Sequence, residues 1–210
     1  MSRHNIRPFT ETEIAFFSSF NSPWDIQQFL DSIPYNAEHI CKSPAKVLEH
    51  KSAHCFEGAL FAACALTFLG HRPLVVDLGA ENDDDHVIAV FRRNGLWGAI
   101  AKSNFTTLRY REPVYKTIRE LGMSYFDFYF NANGDKSLRR VSTPLNLKRF
   151  DSEGWMTTDE DCDHLAHGFI ALKYTALCPK DMIPELIRVP QYMLDAGMLG
   201  VNPAGLYIPQ

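Results

Sequence analysis

The first 50 residues show the apolar spacing of short amphipathic helices. Thr10 and Glu13 have the spacing of a capping box ahead of an apolar run, and Ser22 followed by Pro23 predicts a second helix start. Residues 33–46 are rich in proline and asparagine and predict a loop, followed by a short helical turn. We therefore expect two short helices and a loop before the first long element.

One long apolar helix is predicted over residues 54–69, with Ser52 as its cap and Gly70 as its stop. Its middle carries no charge and is apolar on every face, so we expect it to be buried. Gly58 is the only helix-breaking residue inside it. Because small side chains dominate this helix, a sheet can approach it closely.

After Pro73 the pattern changes to that of β-strands. Residues 74–78 are rich in β-branched side chains, and residues 86–91 form a second predicted strand after a polar loop. Asn94-Gly95 is a strong hairpin signal, so residues 96–101 are expected to return antiparallel to the second strand. The sequence thus predicts one buried helix on an antiparallel sheet.

The second half of the chain carries weaker signals. From it we predict helices over 112–121, 158–177 and 180–188, a strand over 125–130, a hairpin at Asn133-Gly134 that leads into 137–141, and a tail over 190–210.

Composition and charge narrow the class of protein. The chain has 210 residues, 46% hydrophobic content and a net charge of -4, so one domain of ordinary size is expected and neither a nucleic-acid nor a membrane partner is indicated. Five scattered cysteines suggest no disulfide framework. Residues 1–20 lack the pattern of a secretory leader, so a cytoplasmic location is expected.

Three residues in chain order suggest nucleophilic catalysis. Cys55 lies at the start of the buried helix, His86 opens the second strand, and Asn104 follows the third. A thiolate is the reactive form of cysteine, and both a helix start and a nearby imidazolium lower the pKa of a thiol. We therefore expect Cys55 as nucleophile, His86 as base with its side chain within hydrogen-bonding reach of the thiol, and Asn104 as the group that orients the imidazole.

The third position is ambiguous by one residue. The two-residue turn at Asn94-Gly95 sets a register that places His86 opposite Ser103. Asn104 is the better acceptor for an imidazole N–H but needs a bulge or a strand end to face the ring. Ser103 and Asp85 remain alternatives for this role.

Residues 53–104 resemble the core of the transglutaminase-like superfamily, whose architecture is papain-like. The shared pattern is a cysteine opening an alanine-rich helix, a glycine turn, a histidine opening a strand and a tryptophan on the next strand, here Cys55, Gly70, His86 and Trp97. Where the family has an aspartate shortly after that tryptophan, this chain has none, and Asn104 is the nearest substitute.

The resemblance implies an α+β fold in which the cysteine-bearing helix packs on an antiparallel sheet. A single domain over 1–210 is expected, with its core at about 44–131, N-terminal helices over 1–43 and additions over 132–210. The implied activity is acyl transfer or amide and peptide hydrolysis through a Cys-His-Asn site, with the Cys55 N–H helping to bind the oxyanion. The alternative is an inactive member that binds a peptide or protein partner.

Other groups near the predicted site have weaker claims. Trp97 is a candidate shield against water, and Lys102 and Arg109 are candidates for binding a substrate carboxylate. Asp83–Asp85 and the acidic, histidine-containing stretch 159–167 resemble metal ligands but fit a solvated loop and a helix start better. We therefore expect catalysis on a peptide, protein or small amide without metal or cofactor.

Overall fold

The structure is a computed structural model that describes residues 7–209. In it the chain folds into an antiparallel sheet with helices on both faces. The first residues searched for a leader and the last residue of the predicted tail lie outside this range. The helices are α1 (Glu11–Ser18), α2 (Pro23–Ser32), α3 (Pro44–His50), α4 (Cys55–Phe68), α5 (Ile118–Phe126), α6 (His167–Ile170) and α7 (Gln191–Gly197). The strands are β1 (Leu74–Ala80), β2 (His86–Arg93), β3 (Leu96–Ile100), β4 (Arg111–Tyr115), β5 (Leu138–Ser142), β6 (Leu145–Asn146) and β7 (Tyr174–Ala176).

The strands lie in the order β4-β3-β2-β1-β5-β7, with β6 also paired to β1. Helix α4 and the three helices before it pack on one face of this sheet, and α5 packs on the other. Alternate residues of β2 supply the two cores, with Ala89 on the α4 face and Ile88 on the α5 face. The expected mix of helix and antiparallel sheet is confirmed. Within the described residues, no helix has the length and apolar character needed to cross a bilayer.

Helix α4 begins one residue later than predicted, and its cap is a histidine. The ring Nδ1 of His54 accepts from the N–H groups of Phe56 and Glu57, and the Glu57 carboxylate accepts from the His54 N–H at 2.7 Å. This reciprocal pair does the work of a capping box, so the expected Ser52 cap is wrong. Cys55 thus becomes the first residue of the helix.

The hairpin between β2 and β3 forms as predicted. Asn94 and Gly95 both have positive φ values, 51° and 81°, as a two-residue turn of this kind requires. The pairing then runs outward to Ala89 opposite Ile100, where β3 ends. Among the described residues, the first residues of β2 therefore pair with no strand on that side, and the predicted opposition of His86 and Ser103 falls beyond the sheet.

Several predictions for the second half are wrong. Residues 112–121 divide into β4 and α5, because the Thr117 side chain caps a helix start by accepting from the Glu120 N–H. The expected strand at 125–130 is largely the end of α5 and a turn. The helix expected at 158–177 is replaced by short turns, α6 and β7, and that at 180–188 by a 3-10 turn over Lys180–Glu185.

Gly58 allows the loop after β3 to contact α4, which gives a stability prediction. A Cβ at this position would lie 2.3 Å from Lys102 Cβ. We expect Gly58→Ala to lower the free energy of unfolding by about 2 kcal/mol, because overpacking outweighs the better helix propensity of alanine. Urea unfolding of the wild type and the variant measures this difference in the free energy of unfolding. Thr67→Ala on the same helix serves as control, and a Gly58→Ala variant as stable as wild type would contradict this contact.

Candidate active site

Cys55 is half-buried at the start of α4, whereas the other four cysteines are buried. Its thiol lies against the first residues of β2, where it donates to the Asp85 carbonyl oxygen at an Sγ–O distance of 3.9 Å. The backbone N–H of Val87 also points at the sulfur. Cys55 is therefore the one thiol of the chain that a substrate can approach.

The thiol is not activated in this resting structure, which corrects the expectation from sequence. The pKa of Cys55 is raised to about 11, chiefly by burial and also by the charges of Asp84 and Asp77. Backbone N–H groups of Val87 and Phe56 oppose these effects, but burial outweighs them. A helix start therefore does not produce a thiolate here, and the sulfur is protonated at neutral pH.

His86 is buried on the α5 face at the start of β2. Its ring Nε2 is 3.0 Å from the Leu108 carbonyl oxygen, and its ring packs against that of Tyr129. Because a carbonyl can only accept, the neutral ring carries its proton on Nε2 and leaves Nδ1 as the basic nitrogen. Burial lowers the pKa of His86 to about 4, so the imidazole is neutral at pH 7.

The predicted hydrogen bond between Cys55 and His86 is not formed within the described part of the chain. The sulfur faces the backbone on either side of His86, and the ring points toward Leu108 and Tyr129. Both side chains nevertheless line one cavity. The resting pair is thus a neutral thiol and a neutral imidazole that share a cavity.

Two cavities meet at Cys55. The inner cavity has a volume of about 50 Å³ and is lined by both Cys55 and His86. The outer cavity has a volume of about 620 Å³ and opens on the other side of Cys55, next to Tyr35 and His54. The inner cavity therefore has room for a reacting group of a few atoms, and the outer cavity has the size of an ordinary ligand pocket.

Asn104 lines the inner cavity but does not orient His86, which corrects the predicted triad. Its Oδ1 accepts from the Asn202 N–H at 2.8 Å, and its Nδ2 donates to the carbonyls of Asn202 and Gly205 at 2.9 and 3.0 Å. The amide is fully used in holding the C-terminal segment. The Leu108 carbonyl occupies the place expected for it beside His86.

The two alternatives for the third position also have other partners. Ser103 Oγ accepts from the Phe105 N–H at 3.0 Å, and one carboxylate oxygen of Asp85 accepts from the Ala80 N–H at 2.7 Å. Both residues line the inner cavity, and Asp85 contacts the thiol through its backbone carbonyl. Neither side chain hydrogen-bonds to the imidazole of His86 in residues 7–209.

The remaining supporting residues lie away from the thiol or are held elsewhere. Trp97 lines a different cavity near the hairpin, with the Arg92 guanidinium 4.9 Å from its ring centre, so it does not shield Cys55. Lys102 Nζ donates to the carbonyls of Leu30 and Ile33 at 2.8 and 2.5 Å, at the end of α2. Arg109 forms an ion pair with Asp31. The expected carboxylate-binding cations are therefore structural.

The possible metal ligands have protein partners. Asp83 accepts from the Ser137 hydroxyl at 2.6 Å, and His164 Nε2 lies 2.9 Å from a Glu153 carboxylate oxygen. Within the part of the chain that the structure describes, no three side chains of metal-binding type converge.

Two residues at the site had no signal in the sequence analysis. Tyr35 is half-buried, the pKa of its hydroxyl is raised, chiefly by desolvation, and this hydroxyl hydrogen-bonds with the Cys55 backbone. Leu108 acts through its carbonyl, which any residue type could supply. The His54–Glu57 cap, by contrast, was detectable, because a glutamate three residues after a polar residue is a capping-box spacing.

The protonated thiol predicts a steep pH dependence of alkylation. With a pKa of about 11, the reaction of Cys55 with iodoacetamide should accelerate about tenfold per pH unit from about pH 7 to pH 9, because only the thiolate reacts. Peptide mass spectrometry of the folded protein gives the rate at each cysteine. A rate that levels off below about pH 8 would show instead that the thiolate is stabilised.

No protein-family model matches this chain, and a search of curated proteins finds no relative.

Proposed function

We propose that this chain is a cysteine-dependent enzyme that transfers an acyl group or hydrolyses an amide or peptide bond, of the transglutaminase-like type that its sequence resembles. One observation carries the proposal. The single accessible thiol, at the start of a buried helix, shares a small cavity with a histidine whose Nδ1 is free to act as a base.

The proposed reaction starts from the neutral pair. As Cys55 Sγ forms a bond to the substrate carbonyl carbon, its proton moves to His86 Nδ1 and then to the leaving nitrogen, whose bond to carbon breaks. The products are a thioester on Cys55 and a free amine. Water or a second amine then attacks the thioester, the carbon–sulfur bond breaks, and the released proton returns to the sulfur.

The residues around the pair support this route. The Leu108 carbonyl fixes the Nε2–H tautomer that the route needs, in the role that sequence analysis gave to Asn104. In this route the Tyr35 hydroxyl, which hydrogen-bonds with the Cys55 backbone in the empty site, exchanges that partner for the developing oxyanion and donates to it. In resting enzymes catalytic hydrogen bonds are often long and tighten only with substrate, so a separated thiol and imidazole are compatible with the proposal.

The test is to trap the acyl-enzyme. Wild-type protein is mixed with p-nitrophenyl acetate and with a set of short peptide amides, and the mass of the Cys55 peptide is followed. We expect acetylation of Cys55 followed by release of acetate. The Cys178→Ala variant, which removes a buried thiol, should behave as wild type. An unmodified Cys55 in the presence of these donors would reject the proposal.

A second candidate function is peptide binding without catalysis. Asn104 already holds the backbone at both ends of the 3-10 turn Pro203–Gly205 of the same chain through three hydrogen bonds, so this wall of the site is suited to a peptide main chain. A protein that binds the peptide amides, with Cys55 never acylated, would favour this alternative.

A further inference from the structure

The walls of both cavities beside the thiol are acidic. Asp84 and Asp85 line both cavities, Asp83 lines the inner one, and Glu38 and Asp163 line the outer one. Within residues 7–209, no lysine or arginine lines either cavity. The charged side chains of the site are therefore all carboxylates, apart from histidines.

Most of these carboxylates lack a cationic partner. Glu38 has Lys42 Nζ at 3.6 Å. The four aspartates make no ion pair with lysine or arginine in the described part of the chain. Asp83 accepts from the Ser137 hydroxyl and the Asp84 N–H, and Asp85 accepts from the Ala80 N–H, so these hydrogen-bond partners carry no positive charge. The negative electrostatic potential of these carboxylates therefore acts on any ligand bound in the two cavities.

The two cations that were candidates for binding a substrate carboxylate have other partners. Lys102 is buried with its ammonium group on the carbonyls at the end of α2, and Arg109 pairs with Asp31. A substrate carboxylate would therefore meet carboxylates, and neither lysine nor arginine, among the described residues that line the two cavities. Like-charge contacts of this kind disfavour a ligand and so contribute to specificity.

A buried side chain also directs a polar atom to the inner cavity. His86 is 4% exposed, and its Nδ1 makes no hydrogen bond within the described residues. Each side-chain nitrogen or oxygen that is sealed from solvent in this part of the chain has a partner. Nδ1 is therefore open to the cavity, where a donor on a bound group can reach it.

We infer that the site takes a cationic substrate, an amide or peptide with an ammonium or guanidinium group close to the reacting carbonyl. The inference rests on the proposed function, because it assigns the substrate class of the same thiol. The reacting group fits the inner cavity, and the cationic part lies in the outer cavity near Asp84, Asp163 and Glu38. Opposite charges a few ångströms apart at such a partly enclosed surface attract strongly enough to select substrates.

A bound cation would also favour the reaction. The Asp84 charge raises the pKa of the Cys55 thiol. A positive group beside Asp84 opposes that effect, so sulfur ionises more easily with the substrate in place than in the empty site. Substrate charge would thus contribute to activation as well as to binding.

The test uses three methanethiosulfonate reagents of similar size, one with a trimethylammonium group, one with a sulfonate group and one neutral. Because the other cysteines are buried, modification of the folded protein reports on Cys55. The rate of each reagent with Cys55 is divided by the rate of the same reagent with 2-mercaptoethanol in solution. Since all three reagents need the same thiolate, its small population cancels in the ratios. We expect the cationic reagent to react at least about tenfold faster than the anionic one at low salt, and the difference to shrink as salt is added.

Variants locate the charge responsible. Asp84→Asn should reduce the ratio severalfold, whereas Glu112→Gln, which removes an exposed charge on β4, should leave it unchanged. Equal rates for the charged reagents while the neutral one modifies Cys55 would overturn the inference and leave the proposed function intact. Failure of all three to modify Cys55 would overturn both.

Discussion

Replacing Cys55 with alanine is expected to lower the turnover of p-nitrophenyl acetate, and of any peptide amide that the wild type cleaves, by at least about a thousandfold. The reason is that a nucleophile cannot be replaced from within this site. The other four thiols are buried, and within residues 7–209 no other thiol lines the inner cavity. Initial rates corrected for the uncatalysed reaction measure the effect.

The same variant separates the two candidate functions. Cys55→Ala leaves the cavity walls in place, so fluorescence anisotropy should find peptide binding within about threefold of wild type. Loss of turnover with binding retained is the expected result for an enzyme. A Cys55→Ala variant that keeps more than about a tenth of the activity would show that the nucleophile is another residue.

As the pH falls from 6.5 to about 4, the titration of His86 should lower the free energy of unfolding of the wild type by about 3 kcal/mol. Replacing His86 with glutamine should abolish this loss. Burial lowers the pKa of His86 from 6.5 to about 4 in the folded protein. Between these pH values the unfolded chain binds a proton that the folded chain does not, so stability is lost as the pH falls from 6.5 to about 4. Glutamine can still donate to the Leu108 carbonyl but does not titrate.

Urea unfolding at pH 4, 5, 6 and 7 measures this effect as the difference between wild type and variant. The difference is needed because buried carboxylates act in the opposite direction. The pKa of Asp77 is raised to about 6, chiefly by burial, so its contribution to stability grows as the pH falls. Asp77→Asn should therefore make the free energy of unfolding fall more steeply than in wild type as the pH is lowered, whereas His86→Gln should make it fall less steeply. A His86→Gln variant whose pH profile parallels wild type would contradict a buried neutral imidazole.

Local signals predicted the first half of the fold well. The pairs Thr10–Glu13 and Ser22–Pro23 mark helix starts that depend only on side chains within one turn, and Asn94-Gly95 adopts the positive φ values that such a turn needs. The second half depends on distant partners. The helix predicted at 158–177 gives way to β7 because that segment pairs with β5, which a single-sequence pattern does not contain.

In the candidate site, too, the local features were predictable from the sequence and the distant partners were not. Cys55 and His86 line one cavity, and both positions could be named from the sequence because helix and strand starts are local features. The partner of His86 was not predictable, since a backbone carbonyl carries no residue identity. The Asn104 amide hydrogen-bonds to a segment about a hundred positions away, a contact that local sequence does not reveal. The burial that raises the pKa of the Cys55 thiol depends on the whole fold.

The segment around Asn202 and Gly205 forms a wall of the site, and this has a thermodynamic consequence. Asn104 holds its backbone, and Gly205 and Tyr207 line both cavities. Ligand occupancy and docking of this segment are therefore linked equilibria, and each must change the other by the same factor. Amide hydrogen exchange of residues 202–208 should thus report on occupancy of the site, with ligands that contact the segment slowing its exchange and ligands that displace it accelerating exchange.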